Sequence, residues 1–450
     1  MHDAVHLQRR LEVIPDLLAM HEAQPARYPF LLESAARAEA AGGDNGRFSI
    51  LFAFPGDSIS CPAGADPDDF FQRLDEAWRQ ERLSATTSHL PFTGGWFFYL
   101  AYEMAGVVEP KLNLPSDGDM PRAWAARVPA AVIIDHGQQA AWAVAEPGQE
   151  DNLAEICRDA AQAQPRQAEP EQLLGANLVE EDPSLYCRAV ERARHYIHDG
   201  DIFQANLSRA WRGQLAEDVR PQDVYRRLRR TNPGPFAGLA VRGDQAIISS
   251  SPERLVSRRD DWVNTRPIAG TRPRGQLAGE DDALRSELIG HPKERAEHIM
   301  LIDLERNDLG RICRPGTVEV NELMVLESYA HVHHIVSNVR GRVADSVSPG
   351  EILQAVFPGG TITGCPKVRC MEIIAELEAR PRGAYTGSLG YINRDGSMDS
   401  SILIRTMECQ GRDLRLLAGG GIVADSVPDR ELEETRAKAR GMVLALEPGS

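Results

Sequence analysis

Phe236-Ala-Gly-Leu-Ala-Val-Arg-Gly-Asp-Gln-Ala-Ile-Ile-Ser-Ser250 reads as two strands, 236–242 and 245–250, joined by a Gly-Asp turn. Two short apolar runs around a two-residue glycine turn are a hairpin signal, and a hairpin pairs its strands antiparallel. Further along, Ala384 to Ile392 and Ser401 to Thr406 read as another hairpin, and Leu414 to Ala424 as a strand entering a glycine turn. Leu185 to Ile197, Glu294 to Glu305 and Glu431 to Leu446 carry helical patterning instead. The class is α+β, with antiparallel strands outnumbering β-α-β units.

The chain has 450 residues, 42% of them hydrophobic, enough for a substantial core. Its formal net charge of -16 argues against a nucleic-acid or anionic-membrane partner, because such a field repels phosphate. No run approaches the ~18 apolar residues of a membrane helix, and the N-terminus lacks the order of a signal peptide. A cytoplasmic location is expected. The seven cysteines are scattered, odd in number and form no C-x-x-C, so buried reduced thiols are expected rather than zinc or disulfides. Residues 146–178 are rich in Ala, Gln, Glu and Pro and are expected to be a linker or surface excursion. It would separate an N-terminal region, 1–145, from a longer region, 179–446, where motif density rises.

Two acidic pairs stand out in that longer region, Glu294/Glu297 and Glu431/Glu434. Spacing of i,i+3 in a helix puts both carboxylates of a pair on one face. One such pair alone is an ordinary solvated face. Four convergent carboxylates, however, suit a hard cation, and Mg²⁺ prefers a few protein carboxylates plus water and an anionic substrate group.

Other segments offer anion contacts. Gly419-Gly420-Gly421 ends an apolar run and reads as a turn or as a backbone nest for an anion. It is not a dinucleotide fingerprint, and Gly359 to Lys367 is not a Walker loop, since a proline interrupts it. Arg405, at the end of the Ile402-Leu-Ile run, could clamp a carboxylate, and Tyr385 in the preceding predicted strand could add a hydroxyl donor. Lys438 follows Glu434 by four residues, as in a simple helix ion pair. His333 and His334 fall in a β run and face opposite sides, so at most one lines a given pocket. Glu253, after a proline, is a turn residue or a general acid.

Together these segments closely resemble the chorismate-utilising enzymes, the family of anthranilate, aminodeoxychorismate, isochorismate and salicylate synthases. The matching stretches include Asp201-Ile-Phe-Gln-Ala-Asn-Leu-Ser, Ser250-Ser-Pro-Glu-Arg, Arg266-Pro-Ile-Ala-Gly-Thr-Arg-Pro-Arg-Gly and Lys293-Glu-Arg-Ala-Glu-His. They continue through His333-His-Ile-Val-Ser, Phe357-Pro-Gly-Gly-Thr-Ile-Thr-Gly-Cys-Pro-Lys and Ala418-Gly-Gly-Gly-Ile-Val-Ala-Asp-Ser, in order over about residues 180–445. Phe30-Leu-Leu-Glu-Ser and Pro91-Phe-Thr-Gly-Gly-Trp resemble the N-terminal part of the amine-forming members. The resemblance implies a two-layer α/β sandwich of large antiparallel sheets holding Mg²⁺-bound chorismate. It matches Glu297 and Glu434 to metal carboxylates, with Glu294 and Glu431 in support. Tyr385, Arg405, Lys438 and Gly419 to Gly421 match substrate-carboxylate contacts. Glu253 matches the acid that protonates the departing C4 hydroxyl, and His334 and Thr361 match residues lining the ring.

Water-using relatives carry a lysine base where this chain has Gln204, so ammonia is the expected nucleophile. Asn206-Leu-Ser, the His-His doublet and Gly-Gly-Thr-Ile-Thr-Gly look like the aminodeoxychorismate branch, which serves 4-aminobenzoate and folate synthesis. Ala269 points the other way. Many members of that branch have a lysine there that attacks C2 covalently, whereas anthranilate synthases, which aminate C2 in tryptophan synthesis, do not. The chain lacks the G-x-C-x-G turn of a class I glutamine amidotransferase, so ammonia is expected from a separate glutaminase subunit, in a heterodimer, or from solution with the chain a monomer. An inactive regulatory relative is disfavoured, because every matched site residue except that lysine is present.

Overall fold

The computed structural model describes residues 6–36, 46–62, 69–84, 88–115, 120–166, 169–274, 278–329 and 332–448. Gly275, the last residue of one matched stretch, lies outside them. Among the described residues every strand pair is antiparallel, and the strands build one twelve-stranded and one ten-stranded sheet. The hairpin of Phe236–Arg242 and Gln245–Ser251 forms as expected, with Arg242 opposite Gln245. It sits inside the larger sheet, flanked by Phe30–Glu33 and Thr406–Gln410.

Strands such as Ala130–Asp135 and Gly95–Leu100 are buried along their whole length. Their unbroken apolar runs follow from having both faces covered. Ala131 and Ile133 enter the core between the sheets, while Val132 and Ile134 enter the core under the outer helices. Between the sheets Phe30 stacks on Phe97 with centroids 4.5 Å apart, and Phe52 meets Phe97, Phe92 and Tyr391 at 4.9–5.9 Å. Each such pair adds about 0.5–1.5 kcal/mol beyond its buried area. Helices close the outer faces: Pro221–Thr231 and Pro428–Leu446 cover one sheet through Leu228 and Met442, and Phe70–Glu81 and Pro292–Gly310 the other through Leu74 and Ile302. The fold is the expected α/β sandwich of two antiparallel sheets.

Strands from both sides of residues 146–178 share both sheets. Leu31 pairs with Leu239 in one, and Phe98 with Gly390 in the other. Within 146–178 itself, Glu150–Gln162 is a helix that buries Leu153, Ile156 and Ala160. Three small or apolar side chains at i, i+3 and i+7 are enough for one narrow stripe, even in a polar composition.

The three predicted helices form and begin earlier than read. Pro183 and Pro428 occupy the first turns of Pro183–His198 and Pro428–Leu446, and Asp182 caps the former by accepting from Ser184 N–H. The second predicted hairpin differs more. Ser388–Asn393 pairs with Met398–Ile402, and Ala384 to Thr386 are turn rather than strand. Beyond Ile402 the chain leaves the ten-stranded sheet and joins the twelve-stranded sheet as Thr406–Gln410. Thr386 and Arg405 have φ of +63° and +52°, outside the range of regular strand backbone. Gly419, Gly420 and Gly421 are likewise not a turn: they lie within the strand Asp413–Ile422, paired with Ser208, Leu207 and Asn206 respectively. All seven cysteines are free, but Cys157, Cys187 and Cys365 are only half-buried.

Candidate active site

Two crossings between the sheets lie side by side. Ser251-Pro252-Glu253 leads from the twelve-stranded sheet to Arg254–Arg259 in the other, and Leu403-Ile404-Arg405 leads back. They are tied by Ile402 N–H donating to Glu253 O at 3.0 Å and Ser250 N–H donating to Arg405 O at 3.1 Å. A buried acid and an arginine therefore meet where strand pairing stops.

The Glu253 carboxyl is buried and accepts from Ile268 N–H at 3.4 Å. Burial pushes its pKa up to about 8, with the Thr361 hydroxyl and the Ile268 N–H opposing the rise. Thr361 Oγ1 is itself buried without a well-formed hydrogen bond. At neutral pH Glu253 is thus mostly protonated, as a general acid must be. Arg405 is half-buried with its guanidinium desolvated, which lowers its pKa, while Glu253 acts the other way. Neither the Arg405 guanidinium nor the Tyr385 hydroxyl makes a hydrogen bond among the described residues. Tyr385 sits on the Arg382–Thr386 turn with its hydroxyl against Gly419, where an added Cβ would stand 2.8 Å from it.

The glycines of Asp413–Ile422 clear space on both faces. A Cβ at Gly421 would stand 2.2 Å from Gln204 Nε2, and one at Gly420 would stand 3.4 Å from Glu434 Oε1 and 3.6 Å from Glu431 Oε2. The missing side chain, not positive φ, is what Gly419 and Gly421 require, whereas a Cβ at Gly420 would make ordinary contact. Gln204 Nε2 donates to Glu297 Oε1 at 2.9 Å. Lys438 Nζ pairs with Glu434 at 2.7 Å and donates to Gly419 O at 3.0 Å, so it is both a helix ion pair and a contact to the glycine strand. Glu294 turns to Arg272, at 3.1 Å, and to the bulge at Gly270.

His334 shares a 2.9 Å hydrogen bond with Thr271 Oγ1 across paired strands, and burial pushes its pKa down to about 3. It is a neutral imidazole. His333, on the opposite face as expected, bonds Ser328 and Asp281. Thr271, and Glu305, which burial beside Asp308 pushes up to about 7, were not singled out from sequence. The Ala269-Gly-Thr and Leu304-Glu-Arg stretches that hold them were visible, but nothing local says that they face the acid and the histidine.

Among the described residues no group of three or more His, Cys, Asp or Glu side chains is close enough to hold a metal ion. Mg²⁺ needs only one or two protein carboxylates, with water and substrate oxygens completing its shell. Glu434, half-exposed beside Glu431 over Gly420, and Glu297, reached through Gln204, meet that lesser requirement.

A family model described as chorismate binding enzyme matches residues 29–444. The chain belongs to this family. Aminodeoxychorismate synthase component 1 of Bacillus subtilis (strain 168) is 39% identical over 444 residues, covering 94% of this chain and 93% of its own. Anthranilate synthase component 1 of Streptomyces coelicolor is 37% identical over 481 residues, covering 99% and 89%. Anthranilate synthase component I from Streptococcus pneumoniae TIGR4 superposes with a TM-score of 0.79 at 32% identity, over 90% of this chain and 94% of that one. Relatives of both kinds match along nearly the whole length. Among the described residues no helix is long and apolar enough to cross a membrane.

Proposed function

We propose that this chain aminates chorismate at C4 with ammonia, giving 4-amino-4-deoxychorismate for 4-aminobenzoate and folate synthesis. The observation that carries the amination is Gln204, whose amide donates to Glu297. An amide cannot deprotonate water, whereas ammonia arrives as a competent nucleophile. For C4, the support is the Asn206, His333-His334 and Gly359-Gly360-Thr361 pattern.

Arg405 and Tyr385 take one substrate carboxylate, each having an uncommitted donor. Glu297 and Glu434 would hold Mg²⁺, with Glu294 and Glu431 in support, and the ion would supply the positive charge that neutralises the other carboxylate. Glu253 gives its proton to the C4 hydroxyl, which leaves as water while nitrogen bonds to carbon. The proton shed by the new ammonium centre returns to Glu253, so protons balance. Neutral His334 and the Thr361 hydroxyl line the ring without supplying charge.

Amination at C2, the anthranilate reaction, is favoured by one observation: Ala269, buried in the strand Ile268–Pro273, offers no nucleophile to occupy C2. Product identity separates the two. Chorismate, Mg²⁺ and ammonium are incubated with the chain, and an aminodeoxychorismate lyase is then added. 4-Aminobenzoate is expected, with no turnover when glutamine replaces ammonium until a glutaminase subunit is added. Fluorescent anthranilate formed without lyase would overturn C4 amination, and an Ala269→Lys variant would then test whether the pocket can still use a lysine.

A further inference from the structure

The Arg382–Thr386 turn that carries Tyr385 is held by two carboxylates that the chemistry above leaves unused. Glu103, buried just after the strand Gly95–Leu100, accepts from Arg382 N–H at 2.7 Å and from Gly383 N–H at 3.1 Å. Glu408, in the strand Thr406–Gln410, accepts from Ala384 N–H at 2.9 Å and is paired on its other oxygen by Arg415. Three successive amides of one turn thus end on carboxylates that come from different sheets.

The turn needs such fixing. Thr386 is β-branched at a φ of +63°, a conformation that costs about 1–3 kcal/mol and persists only where the surroundings impose it. Gly383 has a φ of +62°, and a Cβ there would stand 2.6 Å from Glu408 Oε2, so only glycine admits the carboxylate. A cavity of about 550 Å³ borders the turn, lined by Glu103, Gly383, Glu408 and Arg415 among others. We infer that Glu103 and Glu408 are positioning residues for substrate binding, which lock the main chain of this turn so that the Tyr385 hydroxyl stays fixed against Gly419. The inference rests on Tyr385 being a substrate contact.

The test is a double-mutant cycle of Tyr385→Phe and Glu408→Gln, read as KM for chorismate, kcat and melting temperature. A glutamine has one oxygen, so it satisfies Ala384 N–H or Arg415 but not both. Tyr385→Phe and Glu408→Gln should each raise KM about tenfold while kcat stays within about twofold, the pattern of a lost ground-state contact. The double variant should be no worse than Tyr385→Phe alone, because Glu408 acts through the phenol. A purely structural carboxylate would lower the melting temperature and leave KM unchanged, or would raise KM equally in both backgrounds; either result overturns the inference. An unchanged KM in Tyr385→Phe would instead sink the reading of Tyr385 as a substrate contact. Should Glu408→Gln not fold, Glu103→Gln carries the same expectation through Arg382 and Gly383.

Discussion

Arg405→Met should make the unliganded protein more stable and weaken its binding of chorismate about a hundredfold. The Arg405 guanidinium is desolvated without a hydrogen-bond partner, and its nearest acid, Glu253, is mostly neutral at pH 7 because burial pushes it up to about 8. Burying an ion costs several kcal/mol in full, and a half-buried side chain retains part of that, so removal should gain about 1–2 kcal/mol. At roughly 2 cal/mol/K per residue over 450 residues, the melting temperature rises by about 1–2 °C. Chorismate at 100 times its Kd should raise the wild-type value by a further ~3 °C, equivalent to about 2.7 kcal/mol. The variant loses a charge-assisted clamp of about 3 kcal/mol, roughly a hundredfold in affinity, and should show no such shift. Scanning fluorimetry with and without chorismate measures all of this. The pH dependence adds a sign. A carboxyl whose folded pKa lies above its ordinary ~4.3 contributes stability at low pH that is lost as pH rises through the folded value. Without Arg405 the folded value lies higher still, so the loss continues further, and the variant's advantage should shrink between pH 7 and pH 9. A variant less stable than wild type at pH 7, or one stabilised equally by chorismate, would refute the reasoning.

Glu297→Gln and Glu434→Gln should each abolish turnover with an unchanged melting temperature, and EDTA should silence the wild type; full activity in a metal-free assay would exclude the ion. At constant free ammonia, kcat/KM for chorismate should fall above about pH 8 as Glu253 ionises, and a profile flat to pH 10 would remove Glu253 as the acid. Gly421→Ala should displace only the flexible end of Gln204, lowering kcat/KM for ammonium about tenfold at little cost in stability. Gly419→Ala should unfold more readily, since its Cβ would stand 2.3 Å from the Leu207 carbonyl oxygen and would force strands apart; equal melting temperatures for the two variants would contradict this contrast.

What was legible in the sequence is what local patterning controls. The Phe236–Arg242 and Gln245–Ser251 hairpin, the antiparallel class and the helices bearing the acidic pairs all follow from period and turn chemistry within a few residues. The glycine run was misread as a turn because glycine serves two ends, positive φ and an absent side chain, and sequence does not distinguish them. Here the second applies: all three glycines are extended, and what Gly419 and Gly421 leave open is filled by Tyr385 and Gln204.

Arg405 shows why the rest was hidden. Ile402-Leu-Ile-Arg is locally one apolar strand, yet Ser401 pairs with Arg254 in one sheet while Thr406 pairs with Ser249 in the other. That change of sheet is decided by partners some 150 residues away, so no window around Arg405 contains it. The same crossing gives the arginine its function. A strand end would have left its guanidinium in water, whereas a crossing beside Glu253 removes it from water and denies it a charged partner for as long as the acid keeps its proton. The two groups therefore need opposite things from one place: Glu253 must be dry to hold a proton at neutral pH, and Arg405 is costly there until an anion arrives. A substrate carboxylate resolves the conflict by neutralising the arginine. Binding should then remove positive charge beside Glu253 and raise its pKa further, strengthening the acid's hold on its proton in the complex that needs it. The descending limb of kcat should accordingly lie at higher pH than that of kcat/KM, and coincident limbs would show that substrate does not sit on Arg405.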